Sequence, residues 1–170
     1  MLNEGTKKYS SLQFDEVLDS LGSNLGFGSG LDTSYATVSS LKTNLEETLD
    51  LAREALIHPT FPQKEIDRIK KQTLASIVQE ENRPAAIAYR NIGKLLYGDN
   101  HPYGKPLTGS GISATISDIT REDVSAVHKR AINPANLTFA IAGDINLDEL
   151  VEMLEVKFGN WSGDSNPDLK

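Results

Sequence analysis

The stretch Pro62 to Asn82, PQKEIDRIKKQTLASIVQEEN, carries the longest unbroken helical pattern in the chain. Ile66, Ile69, Thr73, Leu74, Ile77 and Val78 recur at three- and four-residue steps, and Lys64, Asp67, Lys70, Lys71 and Glu81 fall mostly on the opposite side. The spacing predicts an amphipathic helix with one core-facing stripe. Pro62 suits a first turn, where its missing N–H costs no hydrogen bond, and Pro84 disfavours helical geometry at Arg83, so both ends carry a stop signal. The last turn, with Gln79, Glu80, Glu81 and Asn82, raises the question of whether this helix offers a carboxylate to a ligand.

Around this helix, the length of 170 residues suits one domain, in which roughly 70% of the unfolded surface becomes buried. The absence of cysteine excludes disulfides, thiolate metal sites and a cysteine nucleophile. A net charge of −7, from 24 acidic and 17 basic residues, argues against nonspecific binding to nucleic acid or to an anionic membrane surface, and favours a cationic partner. No apolar run approaches the roughly 20 residues that span a bilayer, and Met1 is followed by polar residues with no apolar signal core, which predicts a soluble chain.

Upstream, Leu12, Phe14, Val17, Leu18 and Leu21 predict a short helix capped by Ser10 or Ser11 and ended by Gly22. The glycine-spaced run SNLGFGSGLDTS, with Gly26, Gly28 and Gly30 at alternate positions, then leads into β-branched and aromatic residues from Ser34 to Leu41, which predicts a hairpin. Asn44 and Glu47 have capping-box spacing for a helix whose buried stripe is Leu45, Leu49, Ala52 and Leu56, with Leu51 and Ala55 as further candidates, and which stops at His58-Pro59. Downstream, Pro84 to Tyr97 predicts a further helix with Gly98 as terminator, and the Gly-, Pro- and Ser-rich run from Gly98 to Ser117 is too long for an ordinary connection. Thr120 and Asp123 open a helix through Ala131. Leu137 to Ala142, LTFAIA, has the near-continuous apolarity of a buried central strand, and Gly143-Asp144 turns the chain. Asn146 and Glu149 cap a last helix that turns Leu147, Leu150, Leu154 and Phe158 inward, and residues 162–170 read as a linker or tail.

Chemistry is sparse in these patterns. The three histidines, His58, His101 and His128, are scattered, with no second histidine at helical spacing and no His-x-x-Glu-His. Gly109-Ser110-Gly111 lacks the flanks of a nucleophile elbow, and Gly26-Phe27-Gly28-Ser29-Gly30 leads into a strand instead of the helix N-terminus that a phosphate cradle requires. Glu80 and Glu81 are adjacent on a helix and so point about 100° apart, which suits a solvated helix end better than paired acid–base work. These residues by themselves describe an α+β domain without a detectable active site.

The ordered pieces MLNEGTKKYS (1–10), VLDSLGS (17–23), ALIHPTFPQKEIDRIKKQ (55–72), LLYGDNHPYGKPLTGS (95–110) and INPANLTFAIAGDINLDELVEMLEVKFGNW (132–161) add a resemblance. Together they resemble the M16 family of zinc peptidases, the pitrilysin, insulysin and mitochondrial processing peptidase group. The resemblance implies an M16-like domain over residues 1–161. Its fold would be α+β, a two-layer sandwich with helices on one face of a mostly antiparallel sheet whose first strands lie upstream of Met1. Active members carry His-x-x-Glu-His on a helix running into a Gly-Thr, which Gly5-Thr6 matches, so the motif's slot falls before Met1. The third zinc ligand of the family, a glutamate, would fall at Ser76 or Ile77, and neither replaces a carboxylate. Glu80 and Glu81 lie about one turn later, a displacement of roughly 5 Å.

Active halves of the family also present an edge strand with an Asn-Ala-x-Thr-like pattern to the peptide substrate. At the matching positions stand Gly26, Phe27, Gly28 and Ser29, which keep a strand edge for β-augmentation but lack the asparagine. The resemblance thus implies a non-catalytic half, without catalytic or metal-binding residues of its own. It would pair with a zinc-bearing half, fused or separate, to enclose and position a peptide, and the acidic balance of the chain predicts that such a peptide is preferentially basic. Two alternatives stand beside it: a catalytic half whose zinc motif lies upstream, using Glu80 or Glu81 after a local shift, and a docking subunit that handles no peptide. Bacterial members of the family suggest a periplasmic or envelope setting.

Overall fold

The computed structural model describes residues 1–163, so the expected tail lies, from residue 164 on, outside the described residues. The chain divides into two compact units. The first comprises Met1–Gly28, Tyr35–Pro62 and the chain from Glu122 onward; the second comprises Ser29–Ser34 and Gln63–Arg121.

In the first unit, α1 (Ser11–Ser20) opens with the capping box that its sequence predicts: Ser10 accepts from the Gln13 amide, and the Gln13 side chain accepts from the Ser10 amide. It ends with Gly22 at φ 58°, a left-handed conformation that glycine adopts without steric cost. Phe14 and Leu18 are buried and pack with Leu25, Leu51, Ala52 and Ala55, joined by Val17, Leu21 and Phe27 at the margin. Leu12, expected inward, is 69% exposed. The strands β1 (Asn24–Ser29) and β2 (Ser34–Ser39) form a two-stranded sheet, so the chain is α+β as expected, its described sheet reduced to this hairpin.

Helix α2 (Leu45–Ile57) supplies the buried stripe Leu49, Leu51, Ala52, Ala55 and Leu56 and stops at His58. Its predicted capping box does not form. Asn44 closes a 3-10 turn, Lys42–Asn44, and its side-chain amide donates instead to the Leu21 carbonyl at 2.8 Å. The fully buried Thr48 donates to the Asn44 carbonyl and meets Ser23 Oγ at 2.8 Å. The amide thus joins the end of α1 to the start of α2, and a tertiary bond displaces the local cap.

Helix α6 (Arg121–Ala131) enters this unit from Glu122, and α7 (Leu147–Phe158) lies along α2. Asn146 caps α7 by accepting from the Glu149 amide at 2.9 Å, as its spacing predicts. Lys157, whose side chain is 11% exposed, reaches Asp50 at 2.7 Å and Glu46 at 3.1 Å on α2. Burial alone would lower this lysine's pKa, but hydrogen bonds and charge from the two carboxylates outweigh it and raise it. Phe158 is buried, whereas Leu147, expected inward, is 72% exposed.

The segment Leu137 to Ala142 corrects the expectation of a central strand. It belongs to no strand, and Leu137, Phe139 and Ile141 are 36%, 42% and 45% exposed. An apolar run becomes a central strand only when neighbouring chains complete its ladder, and no described residues do so.

In the second unit, α3 (Gln63–Glu81) and α4 (Pro84–Tyr97) are in contact and are joined across the break predicted at Arg83-Pro84. Arg83 is extended at φ −117°, ψ 117°, and Pro84 takes the first helical position. On α3, Ile66 and Ile77 are buried, but Val78 is 58% exposed. Lys70, read as facing solvent, turns to the short helix α5 (Ser113–Asp118) and donates to the carbonyls of Ser117 and Ile119 at 2.7 and 2.9 Å. These carbonyls at the end of α5 lack helical partners, so a lysine stabilises them by hydrogen bond and by charge.

The long connection after α4 folds back on that helix through a 3-10 turn at Pro102–Gly104. Gly93 is the buried residue of α4, and a side chain there would collide with the carbonyls of Tyr103 and Lys105. The apolar positions Ile87, Ile92, Leu95 and Leu96 of the same helix are exposed. The helix therefore uses its small residue, and not its hydrophobic stripe, against the loop.

Candidate functional site

The candidate peptide edge is β1. Its pleat alternates: Leu25 and Phe27 face the core, while Gly26 and Gly28 face the other way. A Cβ at Gly26 would lie 2.9 Å from Thr37 Oγ1, and one at Gly28 2.5 Å from the Tyr35 ring. The cross-strand side chains of β2 thus lie across the space that the glycines leave. Sequence spacing suggested room for an incoming backbone; on this face the room is taken by Thr37 and Tyr35. In the plane of the sheet, β2 is the only strand neighbour of β1 among the described residues. Ser29 ends β1, exposed, and belongs with the hairpin tip to the second unit.

The candidate zinc-ligand position lies on α3. Ser76 donates its hydroxyl to the Gln72 carbonyl at 3.0 Å, and Ile77 is fully buried. Neither presents a metal donor. Glu80, one turn on, points into its own unit: its Oε2 accepts from Arg90 Nη1 at 2.6 Å and from Ser110 Oγ at 2.7 Å. Arg90 also donates to Ser110 Oγ at 2.7 Å and to the Gly111 carbonyl at 2.9 Å, and Thr108 joins Ser110 at 2.7 Å. Partial burial pushes the Glu80 carboxyl up. Hydrogen bonds from Ser110, Arg90 and Thr108, with the charge of Arg90, outweigh that effect and hold it below the ordinary carboxylate value. Glu81 is exposed. The donor set does not suit zinc, because the one carboxylate close to the required position already accepts from an arginine and a serine.

The histidines stay apart. His58 closes α2, and His128 Nε2 lies 2.8 Å from the Leu56 carbonyl with its ring edge-on to Phe61. His101 stacks on Tyr97, its Nδ1 accepting from the Tyr103 amide at 3.1 Å. Among the described residues, no three or more His, Cys, Asp or Glu converge as a metal site.

Two arrangements escaped the sequence reading. Arg90 stands among apolar neighbours in PAAIAYRNIGKLLY, and nothing in its spacing pairs it with Glu80. Tyr103, in the short motif His101-Pro102-Tyr103-Gly104, donates its hydroxyl to Asp32 at the hairpin tip. This bond and the charge of Asp32 raise the tyrosine's pKa. The motif was visible, but its partner lies 71 residues away.

Comparison with known proteins places these features in a family. The model for insulinase, peptidase family M16, matches residues 1–111, and the model for the peptidase M16 inactive domain matches residues 118–170. An uncharacterized zinc protease of Rickettsia felis is 24% identical over 160 residues, covering 94% of this chain and 38% of the relative. The non-peptidase homolog YmxG of Helicobacter pylori is 24% identical over 154 residues, covering 91% and 35%. The chain therefore spans less than two fifths of the length of these relatives. A peptidase M16 inactive domain from Pseudomonas fluorescens superposes over 100% of this chain and 40% of that one, with a TM-score of 0.90 and 28% identity. The periplasmic protease PqqL from Escherichia coli shares the fold at TM-score 0.82 and 17% identity, over 99% of this chain and 19% of that one. With both models matching in sequence order and the fold shared throughout, the chain belongs to the M16 peptidase family.

Proposed function

We propose that this chain is a non-catalytic M16 domain that pairs with a zinc-bearing half and helps to enclose and position a peptide. The observation that carries this reading is the occupancy of the ligand position on α3. Ser76 and Ile77 stand where a zinc-binding glutamate is expected, and Glu80 is held by Arg90 and Ser110. The name of the inactive-domain model and that of the non-peptidase relative support it. So does the partial coverage of the relatives described, whose greater length leaves room in them for another half. Zinc would then be carried by that half, and a periplasmic setting follows the analogy with PqqL.

Peptide would be taken at Gly26, Phe27, Gly28 and Ser29 by addition of a strand to β1, through main-chain hydrogen bonds. The zinc content of the full-length protein tests the assignment. Glu80→Gln and Glu81→Gln, alone and together, are expected to leave zinc stoichiometry unchanged, and loss of bound zinc in either variant would overturn the non-catalytic reading.

A further inference from the structure

We infer that Tyr103 is a positioning residue for the peptide edge, holding the tip of the β1–β2 hairpin through Asp32; this rests on the peptide reading above. Residues Ser29–Ser34 and the loop that carries Tyr103 lie in one compact unit. The tip closes on itself by a backbone bond from the Gly30 N–H to the Thr33 carbonyl at 2.8 Å, and Leu31 is 62% exposed. So short and open a turn has little to fix its direction. The hydroxyl of Tyr103 supplies a fixed point by donating to the Asp32 carboxylate.

Tyr103 is itself held on each side. Its carbonyl sits against Gly93 of α4, where a side chain has no space. Its amide donates to His101 Nδ1 at 3.1 Å, and its ring stands edge-on to Tyr97 and His101 with centroids 5.6 and 5.1 Å away. The loop beneath is bound by Lys94 to Asp99 at 3.0 Å and by Lys105 to the Asp99 carbonyl at 3.1 Å. A phenol seated by these contacts and bonded to a carboxylate holds the tip, and with it Ser29, the last residue of the candidate edge. Strand addition needs the edge extended before the peptide arrives, so a tethered tip lowers the ordering cost of binding.

The test uses the full-length protein with its zinc-bearing half, a fluorescent synthetic Lys/Ala peptide as probe, and amide hydrogen exchange at residues 29–34. Tyr103→Phe removes the hydroxyl and keeps the ring, and Asp32→Ala removes the acceptor from the other side. Both are expected to speed exchange at the tip and to raise the peptide Kd about five- to tenfold, within the net worth of one ordinary hydrogen bond. Asp32→Asn, which keeps an acceptor oxygen, is expected to recover part of both. Unchanged exchange in both disrupting variants would overturn the tether. Faster exchange with unchanged Kd would overturn the positioning role while leaving the peptide reading in place. Failure of the unmodified protein to bind the peptide would overturn both.

Discussion

At the scale of single residues, Glu80 shows how one carboxylate can be chemically conspicuous and structurally occupied. Its hydrogen bonds with Arg90 and Ser110 are charge-assisted, and both side chains of the ion pair are largely shielded, at 21% and 12% exposed. Glu80→Ala is expected to lower stability by about 1.5–3 kcal/mol, because Arg90 and Ser110 lose an ionised acceptor; urea unfolding checks this. The sign of the pH dependence follows from the depressed pKa. The contribution is fully present above the unfolded carboxylate value and is lost as pH falls through the lower folded value. Denaturation midpoints compared between neutral and acidic pH are therefore expected to converge for the wild type and Glu80→Gln at the acidic end.

At the scale of elements, α4 inverts the usual rule for an amphipathic helix. Its stripe Ile87, Ile92, Leu95 and Leu96 is exposed, while Gly93 makes the close contact with the following loop. A mid-helix glycine costs about 1 kcal/mol relative to alanine, so Gly93→Ala would stabilise an open helix. Here the added methyl meets the Tyr103 and Lys105 carbonyls, and overpacking of this kind costs about 1–3 kcal/mol. The expected outcome is net destabilisation, read as a lower urea midpoint, with faster exchange of the loop amides around Tyr103. The segment 137–142 is a second unfulfilled element, apolar and without a ladder among the described residues. Ile141→Lys is expected to reduce self-association of the 170-residue chain in sedimentation, since a charge on an unpaired strand-like edge disfavours edge pairing.

At the scale of the whole molecule, the relevant quantities are charge and extent. On the proposed peptide-binding reading, a net charge of −7 would favour cationic peptides through a long-range attraction that salt screens. Affinity of the full-length protein for a lysine-rich peptide is expected to fall as salt rises from low to physiological concentration, and a flat response would count against electrostatic selection. The chain accounts for 38% and 35% of the relatives from Rickettsia felis and Helicobacter pylori. Apolar faces exposed on α4 and along 137–142 are of the kind that partners or further chain cover. When the chain is combined with the proposed partner half, amides 138–142 are expected to exchange more slowly than in the 170-residue chain alone, and equal exchange would show that the segment stays unpaired.

Local patterns in the sequence determined what local physics controls. The Ser10 and Asn146 caps, the break at Arg83-Pro84, the left-handed Gly22 and the glycine-spaced hairpin all rest on residues a few positions apart, and the structure has each of them. The family register, too, was legible, because ordered motifs need no coordinates. Tertiary structure alone decided the rest. Asn44 gave up its local cap for the Leu21 carbonyl, Lys70 turned from solvent to the end of α5, and Leu137 to Ala142 found no ladder. Glu80 with Arg90, and Tyr103 with Asp32, pair residues whose separation in the chain hides the bond. Hydrogen bonds and packing between distant segments are set by where the chain returns in space, and no periodicity within one segment encodes that return.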